Sequence, residues 1–353
     1  MREPPNVAMD RLCACLADEY GISAVTLEYL PLGLDMRAGV YRVVAADGAA
    51  YLLKVKAGSL YEPGCTVPRY LADQGIAALV APVPTKRNAL WTRLEEQGDW
   101  AAIVYPFIDG DHGWVPAMTD VQWRAVGVAI KQIHETALPP EGFPSLRQET
   151  FDPAEYGRWI RTFEAQCAGA EGGSRAERVL RDHWMENRST IHSLQSALEA
   201  LVPVLQVRSG PYVICHADLH PSNIIRDHAG GVFVIDWDDV MLAPKERDFL
   251  FVGGPAEDGS ARQSGSPFFP GYGPAEIDWV ALTYYRCERV LTDVVAFGQE
   301  VYCRDDLGED VKADSAELFG LLFAAGKMVD EAQAAAAHLP ADLRPVVGAL
   351  RRG

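Results

Sequence analysis

The hydrophobic period of this chain changes once, near residue 107, and that change limits its architecture more than any other feature. From about residue 24 to 107 the apolar positions fall in short alternating runs, AVTLEYL, GVYRVVAA, AYLLKVK, ALWTRLEE and WAAIVYPF, the pattern of half-buried strands. Asp47-Gly48 and Gln97-Gly98-Asp99 punctuate them as hairpin turns. The spacing predicts an antiparallel sheet of about five strands, preceded by a helix over 8–20 that Gly21 stops. Between the third and fourth runs TVPRYLADQG reads as one helix, with Pro68 in its first turn.

Beyond YPFIDGDHG the period becomes helical. Thr119 and Gln122 form a capping-box pattern, and Val126, Ile130 and Ile133 then recur at helical spacing. A second helix is expected over about 153–167, and the glycine-rich AGAEGGS separates it from a long helix ending near residue 206. YVICHADLHPSNIIRD and GGVFVIDWDD then interrupt the helices with two short β runs around a polar loop, before helices resume over about 274–300 and 311–338. The expected fold class is α+β and bilobal: residues 1–107 form a small antiparallel sheet lobe that includes the start of a hinge, and 108–353 form a larger, mostly helical lobe.

Charge excludes one class of partner. Acidic residues number 49 against 32 basic ones, a net charge of −17, whereas phosphate backbones and anionic membranes call for basic faces. The same acidity favours a cationic small molecule. No stretch has the roughly 18 apolar residues of a membrane span. The opening MREPPNVAMD lacks the apolar core of a signal peptide, and seven cysteines without a CxxC pair fit a reducing compartment. A cytoplasmic location is therefore expected.

The chemistry is concentrated in residues 215–239, CHADLHPSNIIRDHAGGVFVIDWDD. Asp218 and Asn223 are five residues apart in a loop, and Asp236 closes the apolar run VFVI. Phosphoryl transfer from ATP uses these three types together, because it needs a base for the acceptor hydroxyl and oxygen ligands that hold metal against the phosphates. Asp218 is the candidate base. Asn223 and Asp236 are the candidate Mg2+ ligands, a neutral and an anionic oxygen for an ion that takes few protein ligands. His216 and His220 read as groups that hydrogen-bond the loop and hold it in shape. His134, inside a helix, reads as structural.

A cation for the phosphates is offered by the third strand, where Lys54 and Lys56 of AYLLKVK share a face. Glu62, or another acid on the following segment, could orient the lysine that serves. The glycine-bearing hairpin YLPLGLDMRAGVYRV stands where a phosphate-covering loop belongs, without matching GxGxxG, and GLLFAAGKM lacks the spacing and the hydroxyl of a Walker motif.

With these residues in view, the chain resembles the aminoglycoside phosphotransferase family, whose members share a protein-kinase-like bilobal fold; the resemblance covers roughly residues 8–300. Within that family it is most similar to the spectinomycin phosphotransferases, through YPFI (105–108), QWRAVGVAIKQIHET (122–136), IDWDDVMLAPKERDFLFVGG (235–254) and YYRCERVLTDVVAFGQE (284–300). The resemblance implies Asp218 as catalytic base, Asn223 and Asp236 as metal ligands, Lys54 as the phosphate-contacting lysine and Glu62 as its partner. It implies that YPFI is the hinge, where backbone groups of Tyr105 and Phe107 or Ile108 meet the adenine, since Pro106 has no amide hydrogen to give.

The shared stretches place Asp238, Asp239, Tyr284, Tyr285, Arg286 and Glu288 as acceptor-binding candidates, acids for protonated amines and rings for sugar faces. The implied activity is ATP- and Mg2+-dependent phosphorylation of an aminocyclitol or aminoglycoside hydroxyl, spectinomycin at its 9-hydroxyl first, with resistance as the result. The alternative is a kinase of the same fold for choline, homoserine, methylthioribose or a biosynthetic intermediate. Compared with protein kinases, Ala217 replaces the arginine that would hold a phosphorylated activation loop, and Trp237-Asp238 follows Asp236 where Phe-Gly would stand. Within APKERD, Lys245, Glu246, Arg247 and Asp248 are expected to form a structural ion-pair network.

Overall fold

The computed structural model describes residues 4–31, 38–94, 99–113, 116–169, 173–208, 210–252 and 265–347. The chain forms two compact units, Met1–Gln148 with Val213–Ala275, and Glu149–Tyr212 with Glu276–Gly353.

The first unit opens with helix α1 (Met9–Cys15), continued by a π-helical turn over Leu16–Tyr20. Gly21 ends it with φ +73°, a left-handed conformation that glycine adopts without steric cost. Strands β1 (Ala24–Leu30), β2 (Ala38–Ala45) and β3 (Ala50–Ala57) follow. Helix α2 (Pro63–Asp73) comes next, then β4 (Thr92–Leu94), β5 (Trp100–Pro106) and β6 (Gly110–His112). The first five strands make one antiparallel sheet in the order β1-β2-β3-β5-β4, as the alternation predicted. Asp47-Gly48 forms the expected turn, with the Ala49 amide donating to Asp47 Oδ1 at 2.9 Å and Gly48 at φ +86°.

The period of two sorts β3 cleanly. Leu53 and Val55 face a core that also holds Leu12, Leu16, Tyr41, Val43, Ala102 and Val104, and this leaves Lys54 and Lys56 on the opposite face. Helix α2 departs from expectation. It starts at Pro63, so Pro68 lies in its interior, where it forgoes one intrahelical hydrogen bond. Gln97 and Gly98 of the second predicted turn, and 32–37 of the glycine-bearing hairpin, lie outside the described residues.

Helix α3 (Asp120–Glu135) carries the predicted capping box on Thr119 and Gln122, and a two-residue strand β7 (Arg147–Gln148) completes this segment. The chain then enters the second unit for α4 (Ala154–Gly169) and the 32-residue α5 (Arg175–Gln206), which Ser174 and Glu177 cap reciprocally. It returns through β8 (Val213–Cys215), β9 (Ile224–Asp227), β10 (Val232–Val234), β11 (Met241–Ala243) and the short α6 (Phe268–Tyr272). Two further sheets result, β10-β9-β6 and β7-β11-β8.

Helices α7 (Trp279–Cys303), α8 (Glu309–Leu321), α9 (Met328–Ala336) and α10 (Arg344–Val347) complete the second unit. The helix expected over 311–338 is thus two helices. The turn between them includes Gly326 at φ +74°, whose amide donates to Asp330 Oδ2 at 2.6 Å. Phe163 stacks on Trp184 in this unit, with ring centroids 5.3 Å apart, and the Phe163 ring leaves no room for a side chain at Gly298.

The strand-and-loop segment after residue 212 is bonded to the N-terminal region: β9 pairs with β6, Val80 donates its amide to Val234 at 3.0 Å, and Val234 donates to Ala78 at 3.0 Å. These ladder hydrogen bonds join segments far apart in sequence, which composition and period do not record.

Candidate active site

Strand β8 delivers the loop that holds Asp218. His216 is fully buried, and its Nε2 meets the Ile235 carbonyl at 2.9 Å. The His216 and Ala217 amides donate to the two carboxylate oxygens of Asp248 at 2.9 and 2.7 Å. Ala217 sits at φ +70°, a costly conformation for a residue with a Cβ, and the Asp248 carboxylate holds it there. Asp248 also meets His134 Nε2 at 3.0 Å, while His134 Nδ1 contacts the Tyr272 hydroxyl at 2.9 Å. Burial alone would push the Asp248 carboxyl up, but the His134 hydrogen bond and charge, with His216 and the Ala217 amide, bring it below the usual range.

His134, Asp248 and Cys215 bring nitrogen, oxygen and sulfur within 4.8 Å of one another. This is a hydrogen-bonded knot. Both His134 nitrogens and both Asp248 oxygens are already engaged, and burial keeps Cys215 a thiol that donates to the Ala243 and Pro244 carbonyls.

Asp218, His220 and Asn223 interlock within the loop. The His220 amide donates to the Asp218 carbonyl at 2.9 Å, and His220 Nε2 lies 3.2 Å from Asp218 Oδ2. Asn223 Nδ2 donates to the Asp218 carbonyl at 2.9 Å and to Asp218 Oδ2 at 3.2 Å. These bonds commit the amide nitrogen and leave Asn223 Oδ1 to accept or ligate. His216 and His220 therefore hold the loop, as expected.

Strand β10 ends one residue before Ile235, whose amide donates to the Asn223 carbonyl at 2.9 Å, so Asp236 is placed directly beyond the Asn223 turn. Asp236 has φ +60°, and its side chain is 47% exposed, open enough for a ligand. The chemistry of the donor set, one amide oxygen and one open carboxylate, fits Mg2+.

Lys54 Nζ bridges Asp236 Oδ1 and Asp238 Oδ2, each at 2.9 Å, and Lys56 Nζ meets the same Asp238 oxygen at 2.7 Å. Burial disfavours a charged Lys54, but the two carboxylates outweigh it and hold its pKa above the ordinary value. Asp238 is balanced in the same way: burial opposes its ionisation, and Lys54 and Lys56 draw its carboxyl below the usual range. Glu62, expected as the partner of Lys54, is not paired with it among the described residues. It is exposed and immediately precedes Pro63, where its carbonyl receives the Cys65 and Thr66 amides of the first helical turn.

In the YPFI segment, Tyr105 pairs with Leu52 and Pro106 with Tyr51 across β3 and β5. The Phe107 amide already donates to the Ala50 carbonyl at 3.2 Å. Of the donors foreseen after Pro106, Ile108 is thus the one whose amide makes no hydrogen bond among the described residues. Burial keeps nearby Cys65 protonated, with a pKa near 12, and raises the Tyr105 phenol as well. Neither serves as a nucleophile at neutral pH.

The acceptor candidates divide between the units. Asp238 is held by lysines, whereas Asp239 is exposed and reached by Arg147 Nη2 at 3.3 Å. Arg147 also donates to the Asp238 carbonyl at 2.8 Å and lies over the Tyr61 ring, 4.2 Å from its centroid. Tyr284, Tyr285, Arg286 and Glu288 belong to α7 of the second unit. Tyr284 and Tyr285 are fully buried with rings against Phe151, Tyr284 donates to Glu288 Oε1 at 3.5 Å, and Arg286 Nη1 donates to the Glu331 carbonyl at 2.8 Å.

Three functions escaped the reading of the sequence: Asp248 as the anchor of the loop, Arg147 as the anchor of residues 238 and 239, and Asp238 as a lysine partner. Asp248 left a signal in APKERD, read as an ion-pair network. It is instead a backbone anchor, and within that set Lys245 pairs with Glu246 at 3.0 Å.

What this geometry offers is the positioning of a hydroxyl beside a base and of a polyphosphate beside a lysine, the task of kinase-like phosphotransferases. The chain belongs to the phosphotransferase enzyme family, whose model matches residues 28–276. It is a kinase that transfers phosphate to a hydroxyl. A solved structure of a spectinomycin phosphotransferase in complex with ADP and spectinomycin is 29% identical with a TM-score of 0.83, over 94% of this chain and 99% of that one. The AMP-bound complex of spectinomycin phosphotransferase is 28% identical with a TM-score of 0.78, over 93% and 99%. An amicoumacin kinase in complex with AMP-PNP, Ca2+ and Ami shares the fold, at 17% identity and a TM-score of 0.59 over 90% of this chain and 93% of that one. No curated protein sequence matches the chain. No helix among the described residues is long and apolar enough to cross a membrane.

Proposed function

We propose that this chain is an ATP-dependent kinase of a cationic aminocyclitol, phosphorylating the 9-hydroxyl of spectinomycin in the cytoplasm and so conferring resistance. The observation that carries the reading is the interlocked Asp218–His220–Asn223 loop, in a chain similar over 94% of its length to a protein solved with ADP and spectinomycin.

In this mechanism Asp218 receives the proton of the acceptor hydroxyl as its oxygen bonds to the γ-phosphorus. The bond from that phosphorus to the bridging oxygen breaks, and its electron pair leaves with ADP. Lys54 contacts the phosphates and Ile108 meets the adenine. Asn223 and Asp236 are the residues to hold Mg2+, which when bound neutralises charge on the phosphate oxygens. Asp239, exposed three residues beyond Asp236, is the carboxylate proposed to receive a protonated amine of the acceptor. Aligned reactants and a fixed base supply most of the rate in such reactions.

The test is turnover by purified protein with ATP, Mg2+ and a panel of spectinomycin, aminoglycosides, choline, homoserine and methylthioribose, with product mass measured. A phosphorylated spectinomycin is expected. Folded protein that binds nucleotide but turns over another member of the panel instead would remove the substrate assignment and keep the kinase.

A further inference from the structure

Helix α2 contains no glutamate. Its one acid is Asp73 at the far end, already paired with Arg69. Glu62, just before the helix, is exposed. A lysine that must meet phosphates nevertheless needs a fixed counter-charge, because a four-carbon side chain otherwise samples many rotamers. We propose that Asp238, two residues after the candidate metal ligand, is the positioning carboxylate for Lys54, and that Lys56 holds Asp238 in place for that role.

Three observations converge. One oxygen of Asp238 receives Lys54 at 2.9 Å and Lys56 at 2.7 Å, with the two lysine side chains 13% and 17% exposed. The first turn of α2 is shaped around Asp238: a Cβ on Gly64 would stand 3.2 Å from the Trp237 carbonyl and 3.4 Å from Asp238 Oδ1, so glycine lets the helix approach this closely. The main chain is pinned as well, by the donation from Arg147 to the Asp238 carbonyl at 2.8 Å. The second lysine on the strand thereby gains a reason. A carboxylate shared by two lysines stays in place when Asp236, the other partner of Lys54, is engaged by a ligand.

The inference rests on the kinase reading for the role of Lys54, and its first readout does not. An amine-reactive reagent applied to the nucleotide-free protein, with labelled peptides quantified by mass spectrometry, reports how tightly Lys54 is held. Asp238→Asn is expected to raise the labelling rate of Lys54 and the KM for ATP, each by between about tenfold and a hundredfold, the usual effect of losing a hydrogen bond to a charged group. KM for the acceptor should change far less. Asp238→Glu, which keeps the charge, is expected to recover part of the loss.

Gly64→Val, which crowds the carboxylate without removing it, should move both readouts in the same direction and serves if Asp238→Asn does not fold. Unchanged labelling in both variants overturns the assignment. So does a rise in acceptor KM alone, which would return Asp238 to the acceptor site, or the full effect from Glu62→Gln, which would return the role to the helix. If spectinomycin proves not to be a substrate, the labelling and ATP binding still decide the question.

Discussion

At the residue scale the site is a set of restraints on a few atoms. Asp218 is held by His220 and Asn223, so replacing it removes a group the loop has already ordered. Asp218→Ala is expected to lower kcat by about 10²–10⁴-fold, the range of a general base, and to leave ATP affinity within a factor of a few; titration with a fluorescent nucleotide alongside turnover checks both. Asp248 acts differently, through the backbone. Its carboxylate satisfies two amides and a histidine in a fully buried position, and removing one partner of a buried charge network costs about 3–5 kcal/mol.

Asp248→Ala should therefore show that loss in urea unfolding at neutral pH. The carboxyl of Asp248 is lowered in the folded protein. Its contribution is thus complete above the unfolded carboxylate pKa, about 4, and is lost as pH falls below it through the folded value. Stability of the variant should accordingly decline less steeply than that of the parent below about pH 4.

Elements position these residues through close backbone contact. Helices α3 and α6 meet at Gly127, where a Cβ would lie 2.2 Å from the Phe268 carbonyl oxygen, and at Gly271, where it would lie 2.0 Å from that of Arg124. The contact sets Tyr272 against His134, and through His134 it reaches Asp248. Gly127→Ala is expected to cost about 1–3 kcal/mol by overpacking. Gly157→Ala, inside helix α4 where a Cβ would meet only the ends of the Gln195 and Arg161 side chains, should change stability by no more than about 1 kcal/mol, the helix-propensity difference itself. Differential scanning calorimetry of the pair separates close approach from helix propensity. Helix α6 was not foreseen, because FFPGY is short and flanked by glycine and proline. The break between α8 and α9 was missed because Gly326 interrupts a run that otherwise keeps its helical composition.

For the whole molecule, charge is the property that composition states outright. A net charge of −17 attracts a cationic acceptor at long range, an attraction that salt screens over about 8 Å at physiological ionic strength. The KM for a cationic aminocyclitol is expected to rise between 50 and 300 mM salt while kcat stays nearly constant, as steady-state kinetics at several ionic strengths would show. An unchanged KM would place recognition in short-range contacts alone.

What could be read from the sequence was local. Asp218, His220 and Asn223 contact one another within five residues, and strand alternation put Lys54 and Lys56 on one face, so period and spacing sufficed for the sheet and the loop. Glu62 was proposed for Lys54 because it is near in sequence. The carboxylates that do pair with Lys54 lie 182 and 184 residues away, and Asp248 is 114 residues from His134. Such pairings are chosen by how strands and helices pack. The sequence determined which groups were available for phosphoryl transfer, and tertiary structure alone decided which carboxylate stands beside which lysine, because charge partners are selected by distance in space.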